Sequence, residues 1–147
     1  VTGGDVKRIT RQTGTIGFIE YARPGNPDYA DQSDDPVWQS HVFRPDGTRR
    51  ILKKRDNGDC FFLGLKGCTL TLETRPLICR LYPFAYNARG LYADLVATCP
   101  THLLATGETL LNCLDMSLDM ARVWHHDLYD EILHDDDDYW PDLRLAV

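Results

Sequence analysis

Three cysteines, Cys60, Cys68 and Cys79, fall within 20 residues, and a fourth, Cys99, follows in Cys99-Pro100. Between them lie short apolar pieces broken by glycine, threonine and arginine, a loop-rich segment that a shared ion would cross-link. Thiolates are soft, negatively charged ligands suited to Zn²⁺ and iron–sulfur clusters. Cys60, Cys68, Cys79 and Cys99 are therefore the expected metal ligands. The gaps read C-x7-C-x10-C-x19-C, without the tight cysteine knuckle of most zinc modules. Spacing alone leaves two readings open: a metal site, or free thiols buried in a core.

The chain has 147 residues, a length suited to one domain, here residues 1–147. Hydrophobic content is 43% and charged content 26%, ordinary for a globular protein. No apolar run is long enough for a membrane span or a signal-peptide core. A net charge of −6 speaks against nucleic acid and anionic membranes as partners. The expected partners are a metal ion and a protein. Five cysteines cannot all pair internally, which favours reduced thiols in a cytoplasmic protein. An extracellular domain with two disulfides stays open.

Local patterns predict an α+β fold. Residues 3–13 read as a helix with Asp5 as its N-terminal carboxylate, Val6 and Ile9 on one face and Gly14 as its stop. Residues 23–36, acidic and rich in proline, read as a solvated loop. Trp38 to Phe43 has strand character, Pro45-Asp46-Gly47-Thr48 is a turn, and Arg50 to Lys54 returns as a strand. Asp56-Asn57-Gly58-Asp59 turns into a third short strand, Cys60 to Leu63. Thr71 to Cys79 reads as a helical turn with Thr74 as its cap and Pro83 as its end. Phe84 to Asn87 and Leu91 to Ala97 read as a hairpin. From Thr106 to His134 one long amphipathic helix is expected, with Leu111, Leu114, Leu118, Ala121, Leu128 and Ile132 facing the core. Residues 135–147 begin with a run of aspartates that opposes the helix dipole, so a frayed tail is expected.

The string C-x-F-L-x4-C-x6-R-P-x2-C-R-x-Y-P-F, running from Cys60 to Phe84, resembles the CxxCxxCC cluster family. These YkgJ-like proteins are described as zinc- or iron-chelating domains and are often labelled iron–sulfur oxidoreductases. The resemblance implies that Cys60, Cys68 and Cys79 are cluster cysteines, with Cys99 as a later one, and that the cofactor is a zinc ion or an iron–sulfur cluster. It also implies that Ile16 to Tyr21 is helical and packs beside the cluster. The family carries a further cysteine-rich run ahead of a segment like Val1 to Val6, and no cysteine precedes Cys60 here. A chain trimmed of that run, holding part of the cluster, is the corresponding expectation.

Other side chains carry paired readings. Arg75 and Arg80 either offset the charge of a bound cofactor or hydrogen-bond nearby carbonyls as structural braces. Cys113 reads as a core thiol and His125 as a hydrogen-bonded residue on the buried face. His126, His134 and Asp135 to Asp138 read as a solvated helix end. His41 and His102 have no assignable partner, although His102 lies close to Cys99 in sequence. Arg49, Arg50, Lys53, Lys54 and Arg55 form a basic ribbon, read as edge-strand charge or as a docking patch for an acidic partner. No nucleophile elbow, phosphate loop, dinucleotide fingerprint or metalloprotease helix is present, and no catalytic residue can be named. Three functions remain: a cysteine-ligated metal-binding domain with a structural, metal-handling or electron-transfer role; a redox enzyme or subunit using an iron–sulfur cluster; and an interaction domain with buried free thiols.

Overall fold

Thr2 and Asp5 set the start of the first helix, α1 (Gly3–Thr13). The Thr2 hydroxyl accepts from the Asp5 N–H at 3.0 Å, and the Asp5 carboxylate accepts from the Thr2 N–H at 3.0 Å. This capping box satisfies two donors that a bare helix end would leave open. Gly14 ends the helix at φ 65°, a conformation that costs a glycine nothing. The structure, a computed structural model, describes residues 1–26, 33–95 and 101–135, and for 93–95 the backbone only.

The remaining elements are β1 (Ile19–Ala22), α2 (Pro36–His41), β2 (Arg49–Leu52), β3 (Leu63–Gly64), β4 (Gly67–Cys68), α3 (Leu77–Leu81), β5 (Phe84–Asn87), β6 (Gly90–Leu95), α4 (Leu110–Cys113) and α5 (Leu118–Leu133). Each described sheet is an antiparallel pair: β1 with β2, β3 with β4, and β5 with β6. The α+β expectation is met, as is the β5–β6 hairpin as far as Leu95. Residues 96–97, expected at its end, lie outside the described residues.

Three local expectations are corrected. Trp38 to His41 is helical, because Asp35 caps the Trp38 N–H at 3.1 Å and Pro36 occupies the first helical turn. A capped Asp-Pro start outweighs the strand preference of Val37 and Trp38. β2 therefore takes another partner. It pairs with β1 in the register Ile19 to Leu52 and Ala22 to Arg49, so the segment expected to be helical before Tyr21 supplies a strand. Phe43 keeps only an isolated bridge to Arg49.

The long C-terminal helix is also divided. Asp115 adopts φ 51°, and the Ser117 side chain caps the Met120 N–H to start α5 afresh. Aspartate tolerates the left-handed region better than most residues, so the break needs neither glycine nor proline. The helix expected from Thr106 begins only at Leu110, where Thr109 caps the short α4. Leu114 and Leu118 consequently turn outward, at 46% and 42% exposure, whereas Ala121, Leu128 and Ile132 are buried as expected.

Two apolar clusters result. The larger joins Leu77 and Leu81 of α3, Phe84 of β5, and Ala121, Trp124, Leu128, Tyr129 and Ile132 of α5. The smaller joins Ile9, Phe18, Ile19, Phe62 and Leu70, with the Phe18 and Phe62 rings edge to face at 5.3 Å. Each fully buried leucine or phenylalanine contributes about 1.5–3 kcal/mol. Between them α1 is fastened to α5 by polar contacts. Arg8 pairs with Asp5 and Glu131, and the Thr2 hydroxyl donates to Glu131. Asp135, expected at the start of a frayed tail, accepts from the Gly3 N–H and from Arg50, each at 2.9 Å. Residues 136–147 lie outside the described residues. Among the described residues, no helix is long and apolar enough to cross a membrane.

Candidate functional site

Cys79 occupies the third position of α3, a helix too short to hold its own geometry without tertiary support. That support is specific. The Asp5 carboxylate, with no exposed surface, accepts from the Leu77 N–H at 3.0 Å. The Arg75 guanidinium donates to the Leu70 carbonyl at 3.2 Å. Arg80 donates to the Arg75 carbonyl at 2.8 Å and also to the Glu73 carbonyl. The two arginines thus brace the 70–80 segment through its own carbonyl oxygens. Thr74, expected as the helix cap, is buried and shares a hydrogen bond with the Thr71 hydroxyl instead.

Cys60 follows the turn in which the Gly58 N–H donates to the Arg55 carbonyl at 2.8 Å, and it bridges to Lys54. The expected strand from Cys60 to Leu63 shrinks to Leu63–Gly64 of β3. Cys68 closes β4 opposite Leu63.

Cys60 and Cys79 line one cavity of about 240 Å³, together with Val1, Trp38, Leu52 and Ile78. Cys68 does not reach its wall. The Cys79 thiol is nonetheless pushed up to about 11, first by burial, then by negative charge at Cys60 and Asp5. The Val1 ammonium works against this shift, and Cys68 adds to it. Cys79 has exposed surface, yet the groups packed around its thiol depress its ionisation. The three thiols therefore share one electrostatic neighbourhood without meeting at a point. Among the described residues, no three His, Cys, Asp or Glu side chains are grouped closely enough to hold a metal ion. Cys99, the fourth expected ligand, lies outside the described residues.

Cys60 packs against the smaller apolar cluster, whereas Cys68 and Cys79 are not in the core. Cys68, Cys79 and Cys113 are exposed, Cys60 is half-buried, and all four are free thiols. Cys113, expected in the core, faces out because α4 is separated from the buried stripe of α5. His125 behaves as expected: its Nε2 lies 2.7 Å from the Asn87 carbonyl, and its ring sits 4.8 Å from that of Tyr129. His41 Nδ1 lies 3.1 Å from the Val37 carbonyl. His126 faces Asp127, and His134 faces Asp130, all on the solvated side of α5.

Two carboxylates matter more than their sequence context implied. Asp5 carried no spacing argument beyond helix capping, yet it joins α1 to α3. Thr2-x-x-Asp5 was the available signal. Asp35 was placed in a solvated loop and is 3% exposed. It caps α2, accepts from the Ala88 N–H at 3.1 Å and accepts from the Tyr129 hydroxyl. The basic ribbon is partly engaged: Arg50 pairs with Asp135, and Arg55 donates to the Phe61 carbonyl at 2.9 Å. Set beside known proteins, the chain matches no family model, no curated protein and no solved structure.

Proposed function

We propose that this chain is a cysteine-ligated metal-binding domain, holding zinc or an iron–sulfur cluster in a structural, metal-handling or electron-transfer role. The observation that carries the reading is that Cys60 and Cys79 line one cavity, Cys60 half-buried and Cys79 exposed, with both thiols free. Cysteine is among the most buried residue types when its role is packing. Here Cys68 and Cys79 are exposed, and Cys79 shares a cavity wall with the half-buried Cys60. The likeness of the Cys60 to Phe84 string to the CxxCxxCC cluster family points the same way.

The donor chemistry fits a thiophilic metal, but the donor set is incomplete as placed. Cys60 and Cys79 share a wall, and Cys68 would have to close on them. β3 and β4 are joined at only two register positions, Leu63 with Cys68 and Gly64 with Gly67, so that hairpin is the element with least to lose by shifting. Cys99 is the remaining candidate. A bound metal would cross-link the 60–79 segment and convert binding energy into stability. Free thiols agree with a reducing, cytoplasmic location.

Elemental analysis and the absorption spectrum of anaerobically purified protein test this. Stoichiometric zinc without colour supports a structural site, and a bleachable brown chromophore supports an iron–sulfur cluster. Metal-free protein whose melting temperature is unchanged by added metal or chelator rejects both.

A further inference from the structure

A second cavity adjoins the cysteine cavity and shares Trp38, Arg49 and Ile78 with it. Its volume is about 340 Å³, at the lower end of ordinary small-molecule sites. Its walls are strongly aromatic: Trp38, Tyr86, Tyr92 and Tyr129 all contribute. Three of these rings pack against one another, with centroids 6.4 Å apart for Trp38 and Tyr86 and 6.5 Å apart for Tyr129 with each of them. Tyr92, at 44% exposure, stands at the mouth.

Two charged groups of opposite sign line the same space. Asp35 is buried, and its partners, the Trp38 N–H, the Ala88 N–H and the Tyr129 hydroxyl, are all neutral. Among the described residues no cationic side chain forms an ion pair with it. A buried carboxylate of this kind favours a positive charge nearby. Its acceptor capacity is largely taken by those donors, so a cation bearing N–H groups would find little to bond. A quaternary ammonium has no N–H groups and binds through charge and aromatic faces. Arg49, which also lines this space, opposes a simple cation and suits a carboxylate. The Trp38 indole N–H is buried and has no hydrogen-bond partner among the described residues, so an acceptor is wanted there too.

We propose that this cavity binds a small betaine, a zwitterion with its quaternary ammonium among the aromatic rings near Asp35 and its carboxylate toward Arg49. The proposal does not depend on metal binding. Calorimetric titration of the full chain with trimethylammonioacetate tests it, beside two analogues. 3,3-Dimethylbutanoate keeps the shape and loses the positive charge, and choline loses the carboxylate. Saturable binding of the betaine is expected, with each analogue weaker by about tenfold. Tyr92→Ala should weaken the betaine, read on the fraction that stays folded because the Tyr92 hydroxyl accepts from buried Asn87 at 2.7 Å, and Arg49→Gln should bring betaine affinity down to that of choline. Absence of binding by the betaine, equal binding of the uncharged isostere, or indifference to both substitutions overturns the proposal. So does binding of a trimethyllysine peptide by a chain that ignores the free betaine.

Discussion

The Asp5 carboxylate accepts a hydrogen bond from the Leu77 N–H at 3.0 Å, joining residues 72 apart in sequence. The same carboxylate closes the capping box of α1 and meets Arg8, which reaches Glu131 on α5. One buried side chain thus sets the position of α3, and with it Cys79, against the two longest helices. Asp5→Ala leaves the Leu77 and Thr2 N–H groups and the inner face of Arg8 without their acceptor. Leaving the two N–H donors unsatisfied costs about 1–3 kcal/mol each, while Arg8 keeps Glu131. Asp5→Asn keeps one oxygen acceptor and should cost less, about 1–3 kcal/mol. Urea denaturation of both variants checks the order. Equal stability of Asp5→Ala and the parent chain would show that α3 is held by packing alone.

Cys79→Ser should lose bound metal and stability together, because metal binding and folding are linked. Cys113→Ser should lose little of either, since its thiol is exposed on α4, away from the shared cavity. Metal content after anaerobic purification, read beside thermal melting, distinguishes them. Full metal content in both variants removes Cys79 from the ligand set.

In the metal-free protein, Cys79 should alkylate slowly despite its exposure. Burial, Cys60 and Asp5 raise its thiol to about 11, so at pH 8 the reactive thiolate is on the order of one part in a thousand. The rate with iodoacetamide should climb through pH 9 and 10 and level off only near 11. The sign for stability follows from the same shift. The folded chain holds this proton more tightly than the unfolded one. The contribution is therefore complete below the ordinary thiol value and is lost as pH rises through about 11. Mass spectrometry of peptides alkylated across this range reads Cys79 directly, and a rate already level at pH 8 contradicts the placement.

Tyr129→Phe removes one of the neutral donors from buried Asp35 and should cost about 1–3 kcal/mol. In an Asp35→Asn background the same change should cost less, because the charge that made the hydroxyl valuable is gone. A double-mutant cycle in urea measures the difference. Additive effects would mean that the hydroxyl and carboxylate are not coupled.

What the chain disclosed in advance tracks how local each signal is. Asp5 and Gly14 bound α1 through contacts within a few residues, and the Ala88-Arg89-Gly90 turn likewise marks the β5–β6 hairpin. Ala121, Leu128 and Ile132 kept their helical spacing and are buried. Strand partners are a different matter: β2 had two candidate neighbours, and Asp35 decided against one by capping α2. The break before α5 rests on the left-handed Asp115 and the Ser117 cap inside an apparently continuous apolar pattern. For the site, cysteine spacing brought out Cys60, Cys68 and Cys79, which share a neighbourhood, yet it could not tell proximity from coordination. Asp5 and Asp35 look like any other acidic residue until their distant partners are known.

Arg80 separates the two roles left open for the arginines beside Cys79. Its planar guanidinium reaches the carbonyls of both Arg75 and Glu73, a fork that the single ammonium of lysine cannot reproduce at the same geometry. If this brace is its main role, Arg80→Lys should lower stability by about 1.5–3 kcal/mol, the worth of hydrogen bonds from a charged donor. Metal bound per folded molecule should stay the same. If Arg80 instead offsets the charge of a bound thiolate cluster, lysine supplies that charge and the variant should keep both stability and metal. Arg80→Gln then completes the comparison by removing the charge: under the brace reading it should resemble Arg80→Lys, whereas under the charge reading it alone should shed metal. Denaturation and metal analysis on the same preparations decide between the two, because the charge of the side chain and its forked shape are varied separately.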